Sequence, residues 1–246
     1  ECRTRFLVSE GKIDLALRTA ALEGPILKET NWNDYSLYVS IPFCPSRCHY
    51  CSFVSQSISS KRALNLIPQY VVLLCEEIKR CGEIMQESGM KLSTVYFGGG
   101  TPTSISAEDI RRVMETVAAN FDLDRIREYS FEAGRPDTIT EEKLRVIKEL
   151  GADRISVNPQ TLNDDVLKVI GRQNTGEEAL EAFEMAKKNN RETVTHCDAV
   201  QGFMKLRFSP SSLHADLISV SGHKLHAPKG VGGLYISADM LKKRKI

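Results

Sequence analysis

From Tyr35 onward the chain alternates short β-rich runs with longer stretches whose apolar residues recur at three and four. Strands are expected at Leu37–Ile41, Thr94–Phe97, Glu128–Phe131, Arg154–Val157 and Thr193–Cys197. Helices are expected between them, at about Tyr70–Ser88, Ala107–Asn120, Glu141–Leu150 and Glu177–Lys188, the third on the spacing of Leu144, Ile147 and Leu150. Ser104-Ile105-Ser106-Ala107-Glu108 and Thr138-Ile139-Thr140-Glu141-Glu142 read as helix starts, with capping hydroxyls ahead of acidic first turns. Strand alternating with helix means parallel pairing and right-handed crossovers, an α/β fold. Functional side chains are then expected where strands end, at the C-terminal edge of the sheet. After Asn189-Asn190 the pattern changes: strands at Leu217–Val220 and Gly233–Ile236 have no helix of comparable length between them.

Composition narrows this only a little. The 246 residues are 41% hydrophobic and 26% charged, with a formal net charge of +1, so the balance gives no electrostatic reason to expect a nucleic-acid partner. The Lys242-Lys243-Arg244-Lys245 run reads as a solvated end. No apolar run approaches the roughly 20 residues of a membrane helix, and Glu1-Cys2-Arg3 opens without a methionine or signal peptide, which predicts a cytoplasmic fragment without membrane contact. Seven cysteines, an odd number, scattered except for one cluster, argue against a disulfide framework. Cys75 and Cys81 fall in a helical pattern with Leu74, Ile78 and Met85 and read as small buried hydrophobes; Cys2 stays unassigned.

The exception is Phe43 to Phe53, FCPSRCHYCSF, with Cys44, Cys48 and Cys51 in eight residues straight after a strand. Three soft thiolates in a C-x-x-x-C-x-x-C loop suit an iron–sulfur cluster or zinc. Structural zinc wants four ligands, commonly two C-x-x-C pairs. No second pair exists, and His49 lies inside the loop rather than at a separate hook. The cluster reading therefore wins on spacing and position. YFGGGTPT, Tyr96 to Thr103, ends a strand with three glycines, which permits close backbone approach to a ligand.

C-P-S-R-C-H-Y-C resembles the signature of the radical S-adenosylmethionine (SAM) superfamily, with Tyr50 as the aromatic ahead of the third cysteine. That resemblance implies a partial, open (β/α) barrel and a 4Fe-4S cluster held by Cys44, Cys48 and Cys51. SAM takes the fourth iron, and an electron donor drives its cleavage to methionine and a 5′-deoxyadenosyl radical. It further implies SAM contacts from Tyr50, Gly98, Gly99, Gly100 and Thr101, and from Glu132, Gln160 and Arg172 in SFEAGRPD, RISVNPQT and VIGRQNT. The resemblance covers about residues 1–190 and is nearest to oxygen-independent coproporphyrinogen III oxidase-like proteins, implying a tetrapyrrole as the small-molecule substrate. Phe53 stands where the decarboxylase branch carries a further cysteine; relatives with similar motifs bind haem instead.

Residues 191–246 resemble a different family. THCDAVQG, Thr195 to Gly202, and DLISVSGHKLHAPKGVGGLYI, Asp216 to Ile236, are similar to cysteine desulfurases, fold-type-I pyridoxal phosphate (PLP) enzymes. The resemblance implies Lys224 as the Schiff-base lysine, Asp198 as partner of the pyridinium nitrogen and Gln201 on the ring hydroxyl. It places Ser221 and His223 on the phosphate. The sulfur-accepting cysteine loop of that family has no counterpart here. Two partial families are thus expected to meet near Asn190, by natural fusion, design or misassembly, and the interruption of both favours the last two. Thr193–Asp198 also ends in an acid, where the radical SAM barrel has a strand ending in an aspartate, and so could fill the fifth strand position. Three functions stay in view: a radical SAM enzyme of tetrapyrrole metabolism, a PLP-dependent sulfur-transfer enzyme, and a non-catalytic cluster- or haem-binding protein.

Overall fold

The computed structural model describes residues 3–5, 8–29, 31–53, 55–188, 193–227 and 230–244. Cys2 and the expected junction at Asn190 lie outside the described residues. Two compact units divide the chain, Glu1–Ala186 and Lys187–Ile246.

In the first unit the order is α1 (Glu10–Glu29), β1 (Asp34–Ile41), β2 (Phe43–Cys44), β3 (Gln56–Ser57), α2 (Lys61–Leu64), α3 (Ile67–Ser88) and β4 (Lys91–Gly99). There follow α4 (Ala107–Asn120), β5 (Glu128–Gly134), α5 (Glu141–Glu149), β6 (Arg154–Val157), α6 (Asp164–Val169) and α7 (Gly176–Lys188). The strands β1, β4, β5 and β6 form a four-stranded, all-parallel sheet in that order. Each crossover from β1 to β6 contains a helix, so this is an α/β fold of the partial-barrel kind expected from the alternation.

The two faces of the sheet differ as a period of two demands. Val39, Ile41, Val95, Phe97, Tyr129 and Phe131 turn to one side and are buried with Val71, Ile78, Val113, Met114 and Val117 from α3 and α4. Phe97 stacks on Phe131 at 5.2 Å and on Tyr129 at 5.9 Å, tying β4 to β5 through their side chains as well as the backbone ladder. Cys75 is buried in this core and Cys81 packs against it, as small hydrophobes. The other face carries Ser36, Tyr38, Thr94, Tyr96, Ser130 and Glu132. Thr94 donates to Ser36 across β1–β4 at 2.8 Å, and Arg154 reaches Glu128 at 3.4 Å across β5–β6.

Helix ends follow the capping signals. Ser106 Oγ accepts from the Asp109 N–H at 3.0 Å, and Thr140 Oγ1 from that of Lys143 at 3.3 Å. The helix α1, in a stretch with no sequence expectation, leaves Leu15, Leu17, Leu22 and Leu27 exposed.

The second unit has β7 (His196–Asp198), α8 (Pro210–Leu213), β8 (Leu217–Ser221), β9 (Gly232–Ile236) and α9 (Ala238–Arg244). Its sheet runs β7-β8-β9, the first pair parallel and the second antiparallel, over a small core of Ala199, Ala215 and Ile218. This corrects one expectation: the strand from the Thr193–Asp198 segment does not become the fifth strand of the four-stranded sheet. Its pairing is satisfied locally. Thr195 donates to Asp216 Oδ2 from both its N–H and its hydroxyl at 2.9 Å, and its carbonyl accepts from Asp216 and Leu217. These bonds fix the β7–β8 register and commit the strand to its own sheet.

One buried group has a measurable consequence. Tyr129 is 1% exposed, and its hydroxyl finds no hydrogen-bond partner among the described residues. Burial pushes its phenol pKa up. Burying an unpartnered hydroxyl costs about 1–3 kcal/mol. Tyr129→Phe is therefore expected to leave stability unchanged or raise it by about 1 kcal/mol, read by urea denaturation. A loss above about 1 kcal/mol would reveal a partner for the hydroxyl.

Candidate functional site

The C-terminal edge of the four-stranded sheet gathers the cysteine loop and the glycine run. The chain leaves β1 through Pro42 into β2, passes Cys44, Cys48 and Cys51, and returns at β3, which pairs in parallel with β2. All three thiols are half-buried. The loop is tied down at its root, where Ile58 N–H donates to the Cys44 carbonyl at 2.9 Å, and within its turn, where Cys51 N–H donates to the Cys48 carbonyl at 3.1 Å.

Against this root lies the end of β4. Gly100 N–H donates to the Ile41 carbonyl at 2.9 Å and Thr101 N–H to that of Phe43 at 2.8 Å. A Cβ on Gly100 would sit 2.7 Å from the Phe43 oxygen and 2.8 Å from the Cys44 sulfur, and Gly99 holds φ 114° with Ile41 N 2.8 Å from its Cβ position. Two of the three glycines are thus demanded by the approach of β4 to the cysteine loop itself. Thr101 completes the contact, its hydroxyl 3.5 Å from Cys44 Sγ.

A polar arc continues across the strand ends. Glu132, near the end of β5, accepts from Asn158 Nδ2 at 2.8 Å and from the Tyr96 hydroxyl at 3.4 Å. Tyr96 stacks on Tyr38 at 5.8 Å; burial pushes both phenols up, and the Glu132 carboxylate pushes them further. Arg172, 7% exposed, donates from Nη1 to the Asn158 carbonyl at 2.6 Å, while its Nε is buried with no partner among the described residues. Tyr50 lies beside Arg172 and Cys48: burial raises its phenol pKa, and the guanidinium pulls it back. Gln160 is exposed in the loop after β6 and holds φ 67°, a conformation uncommon outside glycine.

Two side chains of this arc, Asn158 and Arg135, escaped the sequence reading, and His49 takes a role other than metal ligation. Asn158 links Glu132 to Arg172. His49 spends its ring and backbone on α6, Nδ1 lying 2.8 Å from the Val169 carbonyl and the N–H 2.9 Å from that of Ile170. Arg135, just beyond β5, reaches Ser46 inside the cysteine loop. Among the described residues no three His, Cys, Asp or Glu side chains converge closely enough to hold a single metal ion.

In the second unit, β7 and β8 are parallel, so Asp198 and Ser221 leave the sheet at the same edge. Asp198 is exposed and accepts from the Val200 N–H at 2.9 Å, and Gln201 is exposed nearby in sequence. Ser221 Oγ lies 2.5 Å from His223 Nδ1, and the half-buried Lys224 sits in a 3-10 turn, Gly222–Leu225. Burial, with Asp198 beside it, raises the Cys197 thiol pKa.

Comparison with known proteins places these features in a family. The Radical SAM superfamily model matches residues 38–202, and the chain belongs to that superfamily. An oxygen-independent coproporphyrinogen-III oxidase-like protein, HemZ of Bacillus subtilis, is 41% identical over 163 residues, 66% of this chain and 32% of that protein. The heme chaperone HemW of the same organism is 34% identical over 164 residues, 65% of this chain and 41% of that protein. This chain thus spans about a third of the length of the first of these relatives and about two fifths of the second. The solved coproporphyrinogen III oxidase HemN from Escherichia coli, a radical SAM enzyme, superposes with a TM-score of 0.58 at 24% identity. The match covers 83% of this chain and 49% of that one, a likeness of fold. An Aminotransferase class-V model matches residues 165–245, overlapping the end of the radical SAM match. No helix among the described residues is long and apolar enough to cross a membrane.

The glycine geometry is open to a direct test. Gly→Ala at a compatible site stabilises by about 0.4–1 kcal/mol, and Gly11, with nothing within 4 Å of its Cβ position, is such a site. Gly99→Ala is expected to destabilise by about 1–3 kcal/mol, because its φ is forbidden to alanine and Ile41 N blocks the methyl. Equal stabilities for Gly11→Ala and Gly99→Ala in chemical denaturation would contradict the close approach.

Proposed function

We propose that residues 1–190 form a radical SAM site in which Cys44, Cys48 and Cys51 hold a 4Fe-4S cluster and SAM binds beside Gly98–Gly100. Superfamily membership implies both groups, and the residues fit them. Three half-buried thiols on one loop are a soft donor set, and each thiolate of a four-iron cluster binds its own iron, so convergence on a single-ion point is not required. The observation that carries the SAM half of the reading is Arg172. A buried guanidinium with an unspent Nε–H calls for an anionic partner, and the carboxylate of SAM is one. When bound, the reduced cluster supplies one electron that breaks a carbon–sulfur bond of SAM.

The chain's own residues bind and orient. Glu132, held by Asn158 and Tyr96, offers a fixed acceptor for hydroxyl or ammonium hydrogens. Gly98 to Thr101 expose backbone close to the cysteine loop, Gln160 offers an exposed amide, and Tyr50 lies between Cys48 and Arg172.

A tetrapyrrole is the proposed substrate class, supported by the names of the relatives HemZ and HemN. The name of HemW, a heme chaperone, supports the variant in which the tetrapyrrole is bound rather than converted. Phe53, 43% exposed, adjoins the cysteine loop where the decarboxylase branch has another cysteine. The activity proposed for this chain is therefore reductive cleavage of SAM without decarboxylation of coproporphyrinogen III. Anaerobic product analysis with dithionite, SAM and coproporphyrinogen III is expected to show slow formation of 5′-deoxyadenosine and no vinyl product. Cys44→Ala, Cys48→Ala and Cys51→Ala should each abolish it, Cys75→Ala should not, and Arg172→Ala should weaken SAM binding by about 1.5–3 kcal/mol. Vinyl product would restore the full oxidase, and 5′-deoxyadenosine no higher than in the cysteine variants would leave a binding protein.

The second reading, PLP chemistry in residues 191–246, is supported by the aminotransferase class-V match and by Asp198 and Ser221 sharing one sheet edge. Weak aldehyde trapping at Lys224 fits its half-buried position; the one thiol among the described residues of this segment, Cys197, has its pKa raised by burial, which does not suit a sulfur acceptor. No sulfide release from cysteine is expected. Sulfide release that disappears in Lys224→Ala would establish the activity.

A further inference from the structure

The cysteine loop carries its thiols on a backbone whose conformation is held from outside the loop. Ser46, midway between Cys44 and Cys48, is gripped on both sides. Its hydroxyl donates to the Gly171 carbonyl at 2.9 Å and accepts from Arg135 Nη1 at 2.7 Å, and its own carbonyl accepts from the same nitrogen at 3.3 Å. The directions are forced: a guanidinium only donates, so the hydroxyl must accept from it and has its single hydrogen left for Gly171.

Arg135 is itself locked. It is 3% exposed, and Asp137 takes the other side of its fork, Oδ1 accepting from Nε at 3.0 Å and Oδ2 from Nη2 at 2.8 Å. Local backbone geometry delivers it there. The β5–β6 register shifts between Glu132 and Gly134, and Gly134 holds φ 71°, so the residue after it turns inward. Behind it the Arg135 carbonyl accepts from the Thr138 hydroxyl at 2.8 Å. Thr138 meets Thr103 at 2.6 Å, and the Thr103 carbonyl accepts from Lys143 Nζ at 2.6 Å. Thr103 closes the glycine segment and Gly171 precedes Arg172. One chain of part-buried bonds thus joins the cysteine loop, the glycine run and the turn bearing Arg172.

We propose that Arg135 is a positioning residue: through Ser46 it fixes the backbone between Cys44 and Cys48 and couples it to the turn that carries Arg172. The proposal rests on the reading of those cysteines as cluster ligands, yet its physical content is a property of the cluster-free protein. A bond to a charged group contributes about 1.5–3 kcal/mol, which corresponds to roughly 10- to 100-fold in local opening.

Amide hydrogen exchange on the cluster-free full chain tests it. Ser46→Ala, which leaves the Arg135–Asp137 pair in place, is expected to speed exchange at His49 and Cys51 at least tenfold while α3 around Cys75 stays unchanged. Arg135→Gln should do the same, and the double variant should add little to either. Arg135→Lys, which keeps the charge against Asp137 but not the fork, should recover thermal stability without recovering loop protection. Loop exchange unchanged in folded Ser46→Ala and Arg135→Gln would overturn the proposal, as would acceleration spread equally over α3. Iron uptake on reconstitution separates the two layers: a wild type that takes up no iron while its loop still responds to Ser46→Ala defeats the cluster reading and leaves the clamp standing.

Discussion

The Phe43 carbonyl and the Cys44 sulfur occupy the space that any side chain at Gly100 would need, and Ile41 does the same at Gly99. Everything at the C-terminal edge depends on that approach. It brings the first strand, the cysteine loop and the end of β4 within hydrogen-bond reach. It is affordable only because the helix-covered face of the same strands is packed with Val39, Ile41, Val95 and Phe97, all nearly inaccessible to water. A rigid sheet holds this approach, and Gly99 takes a φ that glycine adopts freely and other residues do not. The glycine run is first a structural necessity, and the backbone it exposes is what the proposed SAM site uses.

The opposite face of the sheet is polar because the fold leaves it uncovered by the helices that bury the first. Its side chains form rows across neighbouring strands: Ser36 with Thr94, Tyr38 with Tyr96, Glu128 with Arg154. Glu132 sits at the top of this face, where tyrosine hydroxyls and Asn158 meet the strand ends. The buried Arg172 Nε beyond it, without a partner among the described residues, is the observation on which the proposed SAM site rests.

Where apolar spacing and a capping hydroxyl agree, as at α4, the helix was legible to the residue, and β6 was legible from its short β-rich run between helical patterns. The helix α1 was not, because its leucines lie exposed and contribute nothing to the buried core whose periodicity a sequence displays. The strand before Asp198 was legible as a strand but not its sheet, since a side-chain bond from Thr195 to Asp216 chooses the partner. The cysteines, the glycines and Arg172 declare themselves by type and spacing. Arg135, Ser46 and Asn158 do not: in sequence they are ordinary polar residues, and only a register shift after Glu132 and a left-handed Gly134 turn Arg135 inward.

The central claim is that three thiols on this loop leave one iron open for SAM. The electron paramagnetic resonance spectrum of the anaerobically reconstituted, dithionite-reduced protein tests it most directly, recorded with and without SAM. The account predicts a reduced four-iron signal whose g-values shift when SAM is added. Stoichiometric zinc in place of iron, or a four-iron signal indifferent to saturating SAM, would contradict it.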